Sequence, residues 1–402
     1  MKVLMIAPQP FFEPRGTPIS VHQRLQALSK LGIEVDLVTY HLGENVEIPG
    51  VTIHRIPNIP FINEVRVGPS LTKLFLDGFV LLKSIGRLLR RRYDVIHSHE
   101  EAAFFAMILA AIFRTRHLYD MHSSLPRQLQ NFKYLDVWPF PNLFAILERA
   151  VLRTADSVIT IGEDLTDYVR SVVPGSEIWT IENTPLGLSN DGDHATVDVM
   201  RENIKRNGQK VIVYTGSFER YQGLDVLLHA FRRVVKQDPH ALLVLVGGTE
   251  AQISELKRVA SSLNVGSKVR FVGRTSTSEA LAHLELADVL ISPRIEGTSV
   301  PLKVYSYLNA RRAIIATNIR AHTLVLNDDI AMLVEPTAEG MAEGLIRLLQ
   351  HEAHRSLLAQ HAMEFAKTNH DPDKYLSRIE SIYQSLVSPV SLVDQAVSPS
   401  EK

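Results

Sequence analysis

The sequence predicts an α/β protein of two domains, each built on a parallel sheet with helices on both faces. The chain has 402 residues, which is more than one ordinary domain contains. Apolar runs of strand length alternate with longer amphipathic stretches, a pattern typical of parallel sheets covered by helices. This alternation stops over a polar, turn-rich stretch at residues 186–208 and then starts again. Two successive arrays of this kind predict two Rossmann-like domains that face a cleft.

The first array opens with a buried strand at residues 3–7 and a loop at 9–16 that contains Pro and Gly. Thr17 is expected to cap the next helix, with Pro18 in its first turn and Gly32 after its end, because these residue types favour those positions. The array is then expected to continue with strands at residues 35–39, 51–55, 95–97, 117–121 and 157–161.

The second array begins after the predicted linker at residues 186–208. Its strands are expected at residues 211–215, 242–246, 269–272, 289–292 and 314–317. The C-terminal domain is therefore placed at residues 209–370, after an N-terminal domain at 1–185. A helix at 371–387 is expected to return to the first domain, and the Ser- and Pro-containing tail 388–402 is expected to be disordered.

Composition narrows the classes of function. A formal net charge of -1 gives no electrostatic reason to expect a nucleic-acid partner. The chain contains no Cys, so it has no disulfides or thiolate chemistry and suits a reducing compartment. The longest uncharged apolar run, residues 102–113, is well short of the ~20 residues needed to span a bilayer. We therefore expect a cytoplasmic protein that is soluble or peripherally bound to a membrane.

Three common enzyme motifs do not occur in the sequence. They are the P-loop G-x-x-x-x-G-K-[ST], the dinucleotide fingerprint G-x-G-x-x-G and the nucleophile elbow G-x-S-x-G. The sequence therefore lacks the motifs that usually support an assignment as an ATPase, a dehydrogenase or a hydrolase.

The strongest local signal lies at residues 289–309, where a buried strand, the loop RIEGTSV and a helix follow one another. In open α/β sheets, ligands bind at the carboxyl ends of the strands. Gly297 would let a ligand approach the backbone, and the helix N-terminus would offer N–H groups to an anion. A bound diphosphate would explain Lys303 in the first helical turn, with Arg294 as a second clamp. The alternative is a capped loop with solvated charges, and residue types alone leave both open.

The stretch SPRIEGTSVPLKVYSYL resembles the donor loop of the retaining glycosyltransferases of family 4, the glycogen-synthase-like group with the GT-B architecture. The likeness extends over most of the chain, through the loop that contains Gly16 and the segments DVIHSHE, YDMHS and TGSFERYQGLDVLLHA. It implies that the C-terminal domain binds a nucleotide-diphosphate sugar and the N-terminal domain a glycan or lipid-linked acceptor. It also implies transfer to a hydroxyl with retention of configuration, and no cofactor or metal ion.

The resemblance assigns roles residue by residue. Glu296 stands at the family's first donor-loop acid, which contacts the sugar, whereas Ser306 stands where a second acid grips the ribose. Ser217 and Gln222 replace the usual basic pair, so Arg220, Arg294 or Lys303 would have to compensate. The predicted site residues are His122 and Glu296 for catalysis, Gly16, Arg220, Arg294, Gly297, Thr298, Lys303 and Ser306 for the nucleotide sugar, and His99 and Glu100 on the acceptor side.

Two predicted strand ends are rich in histidine. His97, His99 and Glu100 lie in HSHE, and His122 lies in YDMHS. An H-x-H pair can bind zinc, but no carboxylate at a second fixed spacing supports a metal site here. The alternative, which we favour for His97, is a polar lining of the cleft. His122 matches the family histidine that faces the donor sugar.

Residues 80–92, VLLKSIGRLLRRR, combine an apolar helical face with five basic residues. Such a helix can lie on an anionic membrane, where lipid-linked acceptors reside. It can also pack on the first sheet with its basic residues in solvent, and the two interpretations are compatible.

Two other functions stay open beside the glycosyltransferase. One is a non-hydrolysing nucleotide-sugar epimerase on the same architecture. The other is a non-catalytic glycosyltransferase-like binding protein, which the replacements at Ser217, Gln222 and Ser306 would suit.

Overall fold

The structure, a computed structural model, describes residues 1–13, 16–65, 70–126, 140–182, 208–297 and 300–387. The chain divides into two compact units. The first contains Met1–Glu13, Thr17–Glu182 and the segment from Asp373 onward, and the second contains Asn183–Pro372 together with Pro14–Gly16. The predicted tail, all but the last residue of the predicted linker, and Thr298 lie outside the described residues.

The first unit is built on a seven-stranded parallel sheet in the order β3-β2-β1-β4-β5-β6-β7. Its strands are β1 (Lys2–Ala7), β2 (Glu34–Thr39), β3 (Val51–Arg55), β4 (Val95–His99), β5 (Arg116–Met121), β6 (Ser157–Thr160) and β7 (Ile178–Thr180). Its helices are α1 (Gly16–Lys30), α2 (Leu71–Arg90), α3 (Ala102–Phe113), α4 (Phe140–Thr154) and α5 (Glu163–Val172).

The second unit is built on a six-stranded parallel sheet in the order β10-β9-β8-β11-β12-β13. Its strands are β8 (Lys210–Thr215), β9 (Ala241–Val246), β10 (Val269–Gly273), β11 (Val289–Ser292), β12 (Ala313–Thr317) and β13 (Met332–Val334). Its helices are α6 (Leu224–Gln237), α7 (Glu250–Ser262), α8 (Thr277–Leu286), α9 (Lys303–Asn309), α10 (Arg320–Thr323), α11 (Ala338–Gln350) and α12 (Glu352–Asn369).

The last described helix, α13 (Pro372–Val387), follows the second unit in the chain but belongs to the first unit from Asp373 onward. Its buried residues include Ile379, Ile382 and Tyr383. Two of its tyrosine hydroxyls contact Arg24 and His97 of the first unit. Helix α13 is therefore part of the first domain's core.

The apolar runs explain why the strands form. All six residues of β9, ALLVLV, are buried, as expected for a strand covered on both faces. The face of α6 that packs inward carries Phe231 together with Leu227 and Leu228, which precede it by four and three residues. The prediction of two parallel-sheet α/β domains is confirmed.

Each sheet has a switch point, where the strand order reverses direction. In the first sheet β1 lies between β2 and β4, and in the second β8 lies between β9 and β11. Ligands of open α/β sheets bind at the carboxyl ends of strands beside such a point. The loops after β1, β4 and β5, and those after β8 and β11, are therefore the places to look for a site.

Two local features of the structure differ from the expectations. The edge strands β7 and β13 were not predicted, because three residues each are too few to show a strand period in the sequence. Thr17 does not cap α1: the helix already begins at Gly16, and the Thr17 hydroxyl donates to Glu100 instead, at 2.8 Å. Among the described residues, no helix is both long enough and apolar enough to cross a bilayer.

Candidate functional site

A buried ion pair lies at the carboxyl edge of the first sheet. Asp120, on β5, accepts a hydrogen bond of 2.9 Å from Arg24 Nε of α1, and the two side chains are 0% and 1% exposed. Arg24 also donates to the Tyr375 hydroxyl at 2.6 Å and to the Ile181 carbonyl at 3.3 Å. Burial alone would raise the pKa of Asp120, but the charges of Arg24 and His122 hold it well below its usual range. Asp120 is therefore ionised and paired.

Three histidines stack beside this carboxylate. The ring centroids of His97 and His99 are 4.6 Å apart, and those of His99 and His122 are 5.4 Å apart. His99 Nδ1 lies 3.1 Å from His122 Nε2, which is 3.4 Å from Asp120 Oδ1. His97 Nδ1 bonds the Tyr383 hydroxyl at 2.6 Å. Burial lowers the pKa of His97 and, more strongly, that of His99, so both rings are neutral near pH 7.

His97, His99 and Asp120 lie close enough for a metal site, because each offers a ligand atom within 4.8 Å of the others. Two features argue against one. The His97 and His99 rings are stacked with only 21° between their planes, so a single ion cannot lie in the plane of both rings. Asp120 is also already paired with the guanidinium of Arg24. Sequence spacing did not reveal the Asp120 carboxylate beside these histidines. Its presence does not make the three residues a metal-binding site.

Glu100, the next residue after β4, is held in a left-handed conformation with φ of 49°. Its carboxylate accepts from Thr17, and Lys73 Nζ lies 3.8 Å away. Lys73 also pairs with Glu101 at 3.1 Å. The structure thus brings His99, Glu100 and His122 to one edge of the first sheet.

The second candidate site is formed by the loops after β8 and β11. Ile295 N donates to the Tyr221 carbonyl at 3.0 Å, and the Arg294 guanidinium lies 5.0 Å from the centroid of the Tyr221 ring. Gly223 has φ of 69°, and a Cβ there would come within 2.3 Å of the Pro293 carbonyl oxygen. Glycine at this position lets the two loops meet.

Lys303 brings a cation to the same place. Its Nζ donates to Gln222 Oε1 at 3.1 Å and lies 3.7 Å from the centroid of the Tyr214 ring. Burial, and then the charge of Arg294, hold the pKa of Lys303 well below its usual range, and no acidic group among the described residues raises it. Burial also lowers the pKa of Arg294. The two cations therefore lie in a place that favours an anionic ligand.

The other predicted donor-side residues are more exposed. Arg220 is exposed at the start of the single-turn helix Arg220–Gln222. Glu296 is also exposed, and its backbone carbonyl accepts from Arg294 Nε at 2.6 Å. Gly297 has φ of 127°, and a Cβ there would lie 2.2 Å from Arg294 Nη2. Ser306 is partly exposed in α9.

Gly16 has φ of 49°, and a Cβ there would meet nothing within 4 Å. In the first turn of α9, the backbone N–H groups of Val304 and Tyr305 are already engaged within the chain. They donate to the carbonyls of Pro301 and Leu302 at 2.9 and 3.2 Å.

Several residues that order these sites were not predicted. In the first unit they are Arg24, Asp120, Tyr375 and Tyr383. In the second, the Tyr307 hydroxyl bonds Thr215 N of β8 and Ile291 O of β11, at 2.9 and 3.3 Å. His322 bonds the Ser292 hydroxyl at 2.7 Å, and burial lowers its pKa to about 4. Tyr307 could have been singled out, because it lies in the YSYL segment that carries the family resemblance. The other contacts join distant parts of the sequence.

Comparison with known proteins gives two family matches. Residues 14–184 match the model described as Glycosyltransferase Family 4, and residues 209–351 match the model described as Glycosyl transferases group 1. The phosphatidyl-myo-inositol mannosyltransferase of Mycolicibacterium smegmatis is 23% identical over 376 residues, which cover 90% of this chain and 89% of that protein.

Two solved structures illustrate the fold. The sucrose-phosphate synthase from Thermosynechococcus elongatus aligns with a TM-score of 0.74 at 18% identity, covering 96% of this chain and 98% of that one. Anabaena HepE in complex with UDP aligns with a TM-score of 0.72 at 14% identity, covering 96% and 100%. At such identities the likeness establishes the fold alone.

Proposed function

The chain belongs to glycosyltransferase family 4, and from that premise we propose that it transfers a sugar from a nucleotide-diphosphate sugar to a hydroxyl of a glycan or lipid-linked acceptor, with retention of configuration. The observation that carries the proposal is the meeting of Lys303 and Arg294 at the carboxyl edge of the second sheet. Among the described residues no acidic group raises the Lys303 pKa, so a diphosphate would supply negative charge beside this partly buried lysine, with Arg294 as its neighbour.

The proposed chemistry is electrostatic. As the bond between the sugar and the diphosphate breaks, negative charge grows on the departing oxygens, and Arg294 and Lys303 stabilise it. Arg220, Thr298 and Ser306 are proposed as further contacts to the nucleotide, and Gly16 and Gly297 as places of close backbone approach. The nucleotide sugar enters as a substrate, and we propose no metal ion or cofactor.

His122 and Glu296 are proposed to orient the sugar, and His99 and Glu100 to contact the acceptor. The acceptor hydroxyl would attack from the face of the leaving group, and a phosphate oxygen of the donor would take its proton. On this proposal residues 1–185 and the helix 371–387 form the acceptor side, 186–208 the linker, and 209–370 the donor side.

A lipid-linked acceptor is favoured by the outer face of α2. Helix α2 packs on the first sheet through residues that include Leu76 and Val80. On its other side, large apolar side chains that are between 49% and 86% exposed form a stripe along the helix: Leu71, Leu74, Phe75, Leu82 and Leu89. Packing and membrane contact therefore use different faces of one helix.

Basic residues lie at the C-terminal end of this stripe. Arg90 and Arg92 are exposed and Lys83 is partly exposed, while Arg87 is engaged by Asp36 at 2.7 Å. An apolar stripe with a cationic end suits the interface of an anionic bilayer. We propose that residues 80–92 and the apolar stripe contact such a membrane.

The membrane contact is tested by sedimentation with vesicles of phosphatidylglycerol and phosphatidylcholine. The variant Leu82→Gln/Leu89→Gln should lose binding, whereas Leu357→Gln, which alters a leucine that is 50% exposed in the second unit, should not. Equal binding of all three proteins would refute the contact.

The transferase activity is tested with a panel of UDP-, GDP- and ADP-sugars, read out as nucleotide release. The panel is run without acceptor, with phosphatidylinositol vesicles and with soluble glycans. Acceptor-dependent release supports the proposal, and an isomerised nucleotide sugar formed without acceptor would indicate an epimerase instead. Calorimetry that detects no binding of any nucleoside diphosphate would refute the proposal and favour a non-catalytic protein.

A further inference from the structure

The two carboxylate oxygens of Asp120 have different surroundings. Oδ2 accepts from Arg24 Nε at 2.9 Å, whereas no hydrogen bond from the described residues reaches Oδ1. The Asp120 side chain is 0% exposed, and buried polar atoms are nearly always hydrogen-bonded. His122 Nε2 lies 3.4 Å from Oδ1. Catalytic hydrogen bonds are often long at first and shorten when the substrate binds, so His122 is the natural partner of this oxygen.

The guanidinium of Arg24 fixes the other side of the carboxylate. Besides its bond to Asp120, it donates from Nη1 to the Tyr375 hydroxyl at 2.6 Å and from Nη2 to the Ile181 carbonyl at 3.3 Å. The guanidinium is therefore held from several elements and in turn holds Oδ2 in place. Oδ1 is left for the histidine.

Two groups compete for the proton at His122 Nε2. His99 Nδ1 lies 3.1 Å away, and two neutral imidazoles at this distance can share one proton in either direction. The carboxylate favours the proton on His122, because its free oxygen Oδ1 is 3.4 Å from His122 Nε2. The His99 Nδ1 atom is 3.9 Å from Oδ2, which Arg24 already engages. Of the three side chains His99, Asp120 and His122, only His122 reaches solvent, with 6% exposed.

We propose that Asp120 is a positioning residue for His122: it keeps the proton of the neutral ring on Nε2, so that Nδ1 is the acceptor atom offered to a hydroxyl of the donor sugar. This inference rests on the proposed function, in which His122 orients the sugar. The tautomer of a histidine is set by the hydrogen bond that one of its nitrogens makes, and a buried carboxylate that holds one nitrogen also fixes the orientation of the ring.

The alternative is that the Arg24–Asp120 pair only stabilises the fold, and Asp120→Asn separates the two explanations. Arg24 has only donors, so the amide oxygen of the substituted side chain should face Arg24 and its NH2 group should face His122 Nε2. A donor beside Nε2 would move the proton of His122 to Nδ1 and remove the acceptor there. A merely structural pair predicts a loss of stability with the tautomer unchanged.

The first measurement is ¹⁵N NMR of the histidine rings at pH 8, with the His122 signals assigned by their loss in His122→Ala. We expect the proton of His122 on Nε2 in the wild type and on Nδ1 in Asp120→Asn. A wild-type ring with its proton on Nδ1 would overturn the inference. This result does not require Asp120→Asn to fold.

The second measurement is a double-mutant cycle on kcat with Asp120→Asn and His122→Ala. Nucleotide release from UDP-, GDP- and ADP-sugars is measured at a temperature where thermal unfolding shows every variant to be folded. We expect Asp120→Asn to lower kcat about tenfold or more, as for a misplaced substrate-positioning group, with the Kd for nucleoside diphosphates unchanged. In the His122→Ala background the same substitution should have no further effect on kcat, because the residue that it positions is gone.

The matched control is Asp36→Asn. Asp36 is also a buried aspartate of the first sheet, 4% exposed, and it pairs with Arg87 at 2.7 Å and with His54 at 3.0 Å. Its loss should lower the Tm and leave both kcat and the His122 tautomer as in the wild type.

Three kinetic results would also overturn the inference: additive effects of Asp120→Asn and His122→Ala on kcat, an unchanged kcat in Asp120→Asn, or an equal fall of kcat in Asp36→Asn. Each of them would leave the proposed transferase function standing, since the wild type still releases nucleotide. Release from none of the sugars, together with no binding of a nucleoside diphosphate, would instead remove the proposed function and the inference with it.

Discussion

Arg24→Met offers the most direct test of the buried cluster in the first domain. The substitution keeps much of the side-chain volume but removes the cation that pairs with Asp120. Because Arg24 is 1% exposed and Asp120 0%, water cannot replace the lost partner. The variant also loses the bond to the Tyr375 hydroxyl, which ties α13 to α1.

Removing one partner of a buried ion pair lowers the free energy of unfolding by ~3–5 kcal/mol. For a domain of this size that corresponds to a fall in Tm of about 6–20 °C. The stranded carboxylate should recruit a proton to the neighbouring histidines, of which His97 Nε2 lies 3.5 Å from Asp120 Oδ2. The stability gap to the wild type should therefore be smaller at pH 5.5 than at pH 8.

The assay is urea unfolding of the wild type, Arg24→Met, Asp120→Asn and the double variant, at both pH values. The double variant should be more stable than the sum of the two single effects predicts, because it leaves no unpaired charge. Arg170→Met, which removes an exposed pair with Asp167, should change stability by less than ~1 kcal/mol. Additive effects of the two cluster substitutions would refute the reasoning.

Three further predictions concern pH and the candidate sites. Burial lowers the pKa of both His117 and His322 from 6.5 to about 4, so the folded state resists the protons that the unfolded state binds below pH 6.5. Their contribution to stability is present in full above pH 6.5 and should fall by ~2 kcal/mol each at pH 5, as measured by urea unfolding; equal stability at pH 7 and pH 5 would contradict it. Lys303→Met should weaken binding of UDP or GDP in calorimetry by about 10-fold or more without lowering the Tm, and an unchanged Kd would remove Lys303 from the donor site. His122→Ala should lower kcat more than nucleotide affinity, and a loss confined to the Kd would reassign His122 to nucleotide binding.

The sequence predicted what depends on local pattern. Apolar runs such as ALLVLV mark buried strands wherever they occur, and loops after strands of an α/β sheet must lie at the carboxyl edge. For this reason the pattern of strands and loops is enough to assign His99 and Lys303 to the carboxyl edges of the two sheets. The roles of His122 and Glu296 in catalysis stay predictions.

The contacts that organise the sites could not be predicted in this way. Arg24 and Asp120 are 96 residues apart, and a helix pattern alone suggests that an arginine faces water. The same holds for metal binding. The segment HSHE gives the spacing of His97 and His99, but it does not reveal that their rings stack and so cannot share one ion. Such facts depend on which elements become neighbours, and the strand order is not written in any one segment.

The position of α13 has a consequence for how the protein is made. Tyr383 bonds His97 and Tyr375 bonds Arg24 across sequence separations of 286 and 351 residues. Ribosomal synthesis runs from the N-terminus, and N-terminal domains generally fold first. Here the first domain cannot complete its core until the ribosome has released the whole second domain. Until then, Arg24 and His97 of the nascent first domain lack their tyrosine partners. An isolated first domain would therefore have to include α13.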